Sequence, residues 1–233
     1  MLFLRAKLAL QEVYMTSARF FYKLMKILYE DESIVVIGKP AGLAVQTKNI
    51  AEEDALSLLR KETRSPYLAP INRLDQPVRG LVLFAKSKTS AAVLSKDLTL
   101  GKISKFYRAK VYGSFEKKEG ELRDILYKDA KTNTSRVVKP GEWEYKDGKE
   151  AVLEYKETAP GELSIRLITG RHHQIRVQLA NAGHPILGDV KYGNEESKAE
   201  SKEKGIRTIA LTAERLIINH PVTKKRMEFI YEE

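Results

Sequence analysis

The chain reads as short apolar runs separated by polar stretches, and most of the runs have strand character. Residues 27–37, ILYEDESIVVI, set two apolar runs around an acidic turn and predict a strand, a turn and a second strand. Lys39-Pro40-Ala41-Gly42 then predicts a tight turn, and Ala55, Leu58 and Leu59 fall at helical spacing within 52–61. Residues 65–70 carry two prolines and read as irregular. The polar stretch INRLDQPVRG ends at Gly80, and LVLFAK (81–86) is almost wholly apolar, which predicts a strand covered on both faces. Ser87 and Thr89 are cap residues for a helix over about 89–98.

The second half continues the pattern. In KFYRAKVYG (105–113), Phe106, Arg108, Lys110 and Tyr112 alternate with Tyr107, Ala109 and Val111, so Tyr107 belongs to the less charged face of a strand. Residues 114–149 are polar and predict one or two hairpins, with a turn near Thr132-Asn133. AVLEYKET and ELSIRLIT flank Ala159-Pro160-Gly161, where Pro before Gly predicts a type II turn and a hairpin. A helix is predicted from His172, with Ile175, Leu179 and Ala182 on its apolar face and Gly183 as terminator. Residues 193–205 carry mixed charge without apolar anchors and predict a mobile surface loop or a solvated helix. IRTIALTAERLIINHP and RMEFIYEE supply the last strands, and the whole pattern is α+β with a large, mostly antiparallel sheet.

Composition adds a direction. Lys and Arg number 41 against 31 acidic residues, a net charge of +10 in 233 residues. A field of that sign favours polyanions, nucleic acid first and an anionic membrane surface second, although a basic chain can simply stay soluble. There are no cysteines, which excludes a disulfide framework, a thiolate zinc site and a cysteine nucleophile, and which fits a reducing, cytoplasmic setting. No apolar run reaches membrane-spanning length. The first 26 residues are broken by Arg5, Lys7, Gln11 and Glu12 and make a poor signal peptide. They read as a dispensable extension, either a short amphipathic helix or a product of start-site choice, since Met15 and Met25 also offer starts.

Few residues in the chain carry a recognisable chemical pattern. The four histidines, His172, His173, His184 and His220, show no metal-ligand spacing, and the adjacent pair would face different sides of a helix. Residues 38–42 lack phosphate-loop spacing, and there is no G-x-G-x-x-G. What remains is the loop Asn72-Arg73-Leu74-Asp75 ahead of a buried strand, a place where a carboxylate can be held rigidly and still face a cleft. A lone loop Asp is more often a turn or cap residue, so the loop alone leaves both roles open. The second place is TGRHHQIRVQLANAGHP, where Arg171 and Arg176 lie near a helix N-terminus, as an anion site or as a solvated basic helix end.

Taken in order, five segments resemble the RluA-type pseudouridine synthases over roughly residues 27–233. ILYEDESIVVIGKPAGLAVQ is similar to the family's opening strands and K-P-A-G turn, and INRLDQPVRGLVLFAKS to its H-R-L-D loop. KFYRAKVYG resembles its K-x-Y-x-A-x-V-x-G strand. TGRHHQIRVQLANAGHPILGDVKYG resembles its T-G-R-x-H-Q-I-R stretch with the following G-D-x-x-Y-G, and NHPVTKKRMEF its closing strand. The resemblance implies a mixed, mostly antiparallel sheet in two lobes flanked by helices, with a catalytic cleft, residues 27–233 forming the catalytic domain. It implies that Asp75 is the catalytic aspartate, that Tyr107 stacks on the target base, that Arg176 pairs with the aspartate and that Arg73 enters the space left by a flipped nucleotide. Arg79, Arg171 and His173 are the further expected RNA contacts. The implied activity is isomerisation of uridine to pseudouridine in structured ribosomal or transfer RNA, by a monomer needing no metal or cofactor.

The chain departs from the family pattern at Asn72 (usually His), Val78 and Arg79 (usually Thr-Ser), His172 (often Thr), Gln178 and Thr212 (often His). Residues 1–26 are too few for the S4-type RNA-binding domain that such enzymes often carry. Two other readings compete. One is a non-catalytic RNA-binding or ribosome-assembly factor, which should have lost Asp75, Tyr107 or Arg176. The other is a base glycosylase, which would release free base.

Overall fold

A computed structural model describes residues 24–49 and 52–232, so nearly all of the expected N-terminal extension lies outside the described residues. The chain divides into two compact units, one up to Ser95 and one from Lys96.

The first unit is built on strands β1 (Lys26–Glu30), β2 (Ile34–Lys39), β3 (Ala69–Pro70) and β4 (Arg79–Ala85), with helix α1 (Ala55–Thr63). β1 pairs with β2, β2 with β4, and β3 with β4, all antiparallel. The acidic turn between β1 and β2 closes because the Asp31 carboxylate accepts from the Ser33 and Ile34 amides at 2.7 and 2.9 Å. β2 is buried along its whole length, including Ile34 to Ile37, and so is β4 from Gly80 on. That double-sided burial is why their sequences run apolar without alternation. Leu56, Leu58 and Leu59 of α1 add to this core. Asp54 caps the helix: its carboxylate accepts from the Ser57 amide at 2.7 Å, the Ser57 hydroxyl at 2.6 Å and the Thr47 amide at 2.7 Å.

Helix α2 (Lys88–Thr99) contains the division between the units. Ser87 is its cap, accepting from the Ser90 amide at 3.0 Å, whereas Thr89, the other expected cap, lies inside the helix.

The second unit holds β5 (Ser104–Lys110), β6 (Glu119–Asp129), β7 (Thr134–Val137), β8 (Lys149–Ala159), β9 (Glu162–Leu167), β10 (Leu211–Asn219) and β11 (Arg226–Ile230). Antiparallel pairs give the order β10-β5-β9-β8-β6-β7, with β11 on β10. One rung crosses four of these strands at Ala213, Tyr107, Ile165 and Tyr155. All four are buried, as the alternation in β5 predicts. The β8–β9 hairpin turns at Gly161 with φ 72°, the left-handed value that a type II turn demands at that place. The β6–β7 hairpin turns at Asn133, φ 50°. Helix α3 (Gln174–Asn181) packs on this sheet through Val177 against Leu126 and Ala151, and Gly183 ends it at φ 86°. The charged stretch 193–205 takes the helical alternative: α4 (Glu195–Glu203) starts at Asn194, whose side chain accepts from the Ser197 amide at 2.8 Å.

Replacing Asp54 with Ala removes three hydrogen bonds to one cap residue. Urea denaturation should show a loss of about 1–2 kcal/mol; an unchanged midpoint would show that the cap contributes nothing.

Candidate active site

Asp75 sits, half-buried, in the loop between β3 and β4. The loop is pinned on each side of it. Leu74 and Val78 are buried, at 8% and 2% exposure, and the Val78 amide donates to the Asp75 carbonyl at 3.0 Å. Asn72 is buried too, and its side chain extends the β3–β4 ladder. Its Oδ1 accepts from the Leu83 amide at 2.8 Å and its Nδ2 donates to the Leu81 carbonyl at 3.1 Å. The Ile71 amide has just used the Leu83 carbonyl at 2.8 Å. A side-chain amide therefore copies a peptide group, and the main chain is released to turn outward at Arg73, which is exposed.

The turn Lys39-Pro40-Ala41-Gly42 holds the same loop from another direction. Gly42, at φ 89°, donates its amide to the Gln76 carbonyl at 2.8 Å, and the Gln76 side chain donates back to the Gly42 carbonyl at 3.0 Å. Lys39 is fully buried, and its ammonium donates to the carbonyls of Pro40 at 2.9 Å, Leu43 at 2.7 Å and Gln76 at 3.2 Å. Burial lowers the Lys39 ammonium from 10.5 to about 7, partly offset by the negative charge of Asp75. Lys39 escaped the sequence reading because lysine is the residue type least expected at zero exposure. Arg79 is half-buried at the first position of β4.

The other expected residues lie in the second unit. Tyr107 is 6% exposed on β5. Arg176, on α3, is not a solvated helix-end cation but a buried one, 5% exposed. Its Nε and NH2 donate to Asp189 Oδ2 and Oδ1 at 2.7 and 2.8 Å, and its guanidinium lies 5.0 Å from the centre of the Tyr192 ring. Asp189 also accepts from the Lys191 and Tyr192 amides at 2.9 and 3.2 Å. The planar guanidinium thus meets a carboxylate on one edge and an aromatic ring nearby, an arrangement that lysine could not reproduce. Asp189 and Tyr192 are the Asp and Tyr of the G-D-x-x-Y-G pattern, which marks them but does not say that they meet Arg176. Arg171 is exposed and donates Nε to the Glu150 carbonyl at 2.8 Å.

The adjacent histidines correct an expectation. They do not face different sides of a helix: their rings stack at 3.7 Å. The helix starts only at Gln174, and His173 precedes it at φ 54°, a left-handed turn that brings the two side chains to the same side. His172 Nδ1 lies 2.9 Å from the Ser135 hydroxyl, and His173 Nδ1 lies 2.7 Å from the Tyr192 hydroxyl. That hydroxyl accepts from the Ser135 amide at 2.8 Å. Gln178, another departure from the family pattern, is fully buried and donates Nε2 to Asp124 at 2.7 Å. Among the described residues there is no group of three or more His, Asp or Glu that could hold a metal ion, and no helix long and apolar enough to cross a membrane.

Residues 33–181 match the model of the RNA pseudouridylate synthase family. The chain is 32% identical over 208 residues to the ribosomal large subunit pseudouridine synthase C of Haemophilus ducreyi, covering 86% of this chain but 63% of that protein, so it spans less than two thirds of that relative. It is 31% identical over 208 residues to the dual-specificity RNA pseudouridine synthase RluA of Escherichia coli, covering 87% and 90%. Among solved structures, human RNA pseudouridylate synthase domain containing 4 is similar with a TM-score of 0.71 at 21% identity, covering 95% and 93%. Human domain containing 1 gives 0.71 at 19%, covering 90% and 83%; these two show the fold.

Two measurements test the site's physics. Lys39 should make stability rise with pH. Between pH of about 7 and 10.5 the folded protein has released this proton and the unfolded chain still holds it, so the wild type gains a few kcal/mol relative to Lys39→Met across that window. Parallel stability curves for the two proteins would contradict this. Asp189→Ala should cost about 3–5 kcal/mol in chemical denaturation, because it removes a carboxylate from a buried guanidinium; a loss under 1 kcal/mol would place the guanidinium in contact with water.

Proposed function

The chain belongs to the RNA pseudouridylate synthase family, and from that premise we propose that it converts uridine to pseudouridine in structured ribosomal or transfer RNA. The observation that carries the proposal is the Asp75 loop: an acid on a rigid mount, held by Asn72, Lys39 and Gln76. The reaction breaks the bond from uracil N1 to C1′ and makes one from C5 to C1′, while a proton leaves C5 and one is gained at N1. It needs a carboxylate at the sugar, a surface for the base and little water, and its stoichiometry needs no cofactor.

The residue roles follow from the family pattern. A uridine inside a stem cannot offer its glycosidic bond to a side chain and must be flipped out. Arg73 is exposed, and its guanidinium fills the gap. Tyr107 supplies the stacking surface, and Arg176, aligned by Asp189 and Tyr192, is the basic residue that the family pattern assigns as partner to the aspartate. Arg79, Arg171 and His173 contact RNA outside the flipped base. Residues 27–233 act as the catalytic domain, in the cytoplasm and as a monomer. The names of relatives support both RNA classes: one is a ribosomal large subunit pseudouridine synthase and another, from Pasteurella multocida, a tRNA pseudouridine synthase.

The test is to incubate the protein and its Asp75→Asn variant with total RNA lacking pseudouridine and to map the modification at single-nucleotide resolution. New sites made by the wild type alone, with activity down at least about 10³-fold in the variant, establish activity and substrate together. Salt-sensitive RNA binding without any new site would make the protein a non-catalytic RNA binder, and released uracil would make it a glycosylase.

A further inference from the structure

Burial lowers the pKa of two lysines in this protein, and their surroundings differ. Lys39 spends its ammonium on three carbonyls. Lys105 is also buried, 9% exposed, and its ammonium is pushed down by desolvation alone. Among the described residues, none gives it a hydrogen bond or an ion pair. A buried ammonium without a counter-charge is among the costlier features a fold can carry. One that persists without structural use is a mark of a ligand site.

Its position says which site. Side chains alternate along β5, so Lys105 shares a face with Tyr107 and Ala109, and residues two apart on a strand lie about 6.5–7 Å from each other. The ammonium reaches the strap Thr169-Gly170-Arg171, since a Cβ placed on Gly170 would stand 3.5 Å from Nζ. Two of the strap's side chains are engaged elsewhere: the Thr169 hydroxyl donates to Gln174 at 2.7 Å and Arg171 Nε to the Glu150 carbonyl at 2.8 Å. Nor is the ammonium sealed in. Among the described residues the one side-chain polar atom both enclosed and unsatisfied is Glu53 Oε2, so Lys105 Nζ keeps an opening to solvent.

We propose that Lys105 is a phosphate-binding residue, its ammonium receiving a non-bridging oxygen of a phosphodiester of the RNA next to the base stacked on Tyr107. The inference rests on the proposed RNA substrate. RNA offers full negative charge at its phosphodiesters and not at a neutral uracil, and full charge is what offsets the burial of an ammonium. The bond forms only when RNA is seated, so Lys105 serves binding and register, while Asp75 serves the chemistry.

The test uses the full chain carrying Asp75→Asn, so that binding is read without turnover, and unmodified transcripts of ribosomal and transfer RNA as probes. Lys105→Met should weaken RNA binding about tenfold at low salt and flatten the plot of log affinity against log salt by about 0.7–0.9, with Lys105→Arg close to wild type. The same Lys105→Met protein should melt at a higher temperature, because an unpaired buried charge has gone. A lower melting temperature with unchanged affinity and slope would make Lys105 a structural residue and overturn the proposal. In an otherwise wild-type chain Lys105→Met should raise KM more than it lowers kcat, and an effect confined to kcat would also overturn the proposal. If binding depends on Lys105 as described but the wild type forms no pseudouridine, the phosphate site stands and the synthase reading falls. If pseudouridine forms equally with and without Lys105, the reverse holds.

Discussion

The geometry around Asp75 depends on one ammonium. Lys39 ends a strand that is buried on both faces, and its side chain finds no water there. It is held instead by three carbonyls, two from its own turn and one from Gln76, the residue after Asp75. Charge-assisted bonds of this kind are about twice as strong as neutral ones, and here they join two segments 37 residues apart in sequence. The turn and the acid's loop therefore move as one piece. Asp75 supplies a further reason for the ammonium to remain, since its charge opposes the effect of burial.

The second unit solves the matching problem for Arg176. A buried ion pair adds little net stability, because the cost of desolvating two charges cancels most of their attraction. What the Asp189 pair adds is orientation, with both guanidinium bonds fixing the plane. Tyr192 links that plane to the β6–β7 hairpin, since its hydroxyl meets the Ser135 amide and His173. The histidine stack lies on the same hairpin through the Ser135 hydroxyl. A displacement of β7 would be felt at the arginine through hydrogen bonds alone.

Much of this was legible beforehand, for identifiable reasons. Period-two alternation placed Tyr107 on the buried face of β5, and Pro160-Gly161 marked the β8–β9 turn. The apolar run of β4 announced burial on both sides. The order of five motifs pointed to Asp75, Tyr107 and Arg176. What stayed hidden was long-range and polar. No periodicity says that Lys39 is buried, that Asn72 completes a ladder or that Asp189 is the carboxylate bonded to Arg176, because those facts depend on partners distant in sequence. The stacking of His172 and His173 was hidden for another reason: a left-handed residue without glycine leaves no trace in composition.

Asn72 shows what it means for a side chain to stand in for main chain. Strand pairing is indifferent to residue type, so a loop that leaves a sheet through backbone bonds alone keeps its course under most substitutions. Here the last two bonds before the acid's loop belong to one amide side chain. Asn and His codons differ by one nucleotide, and the family's usual residue at this place is His. The aim of the loop that carries Asp75 and Arg73 is thus open to selection through a single base change that leaves both of those residues as they are.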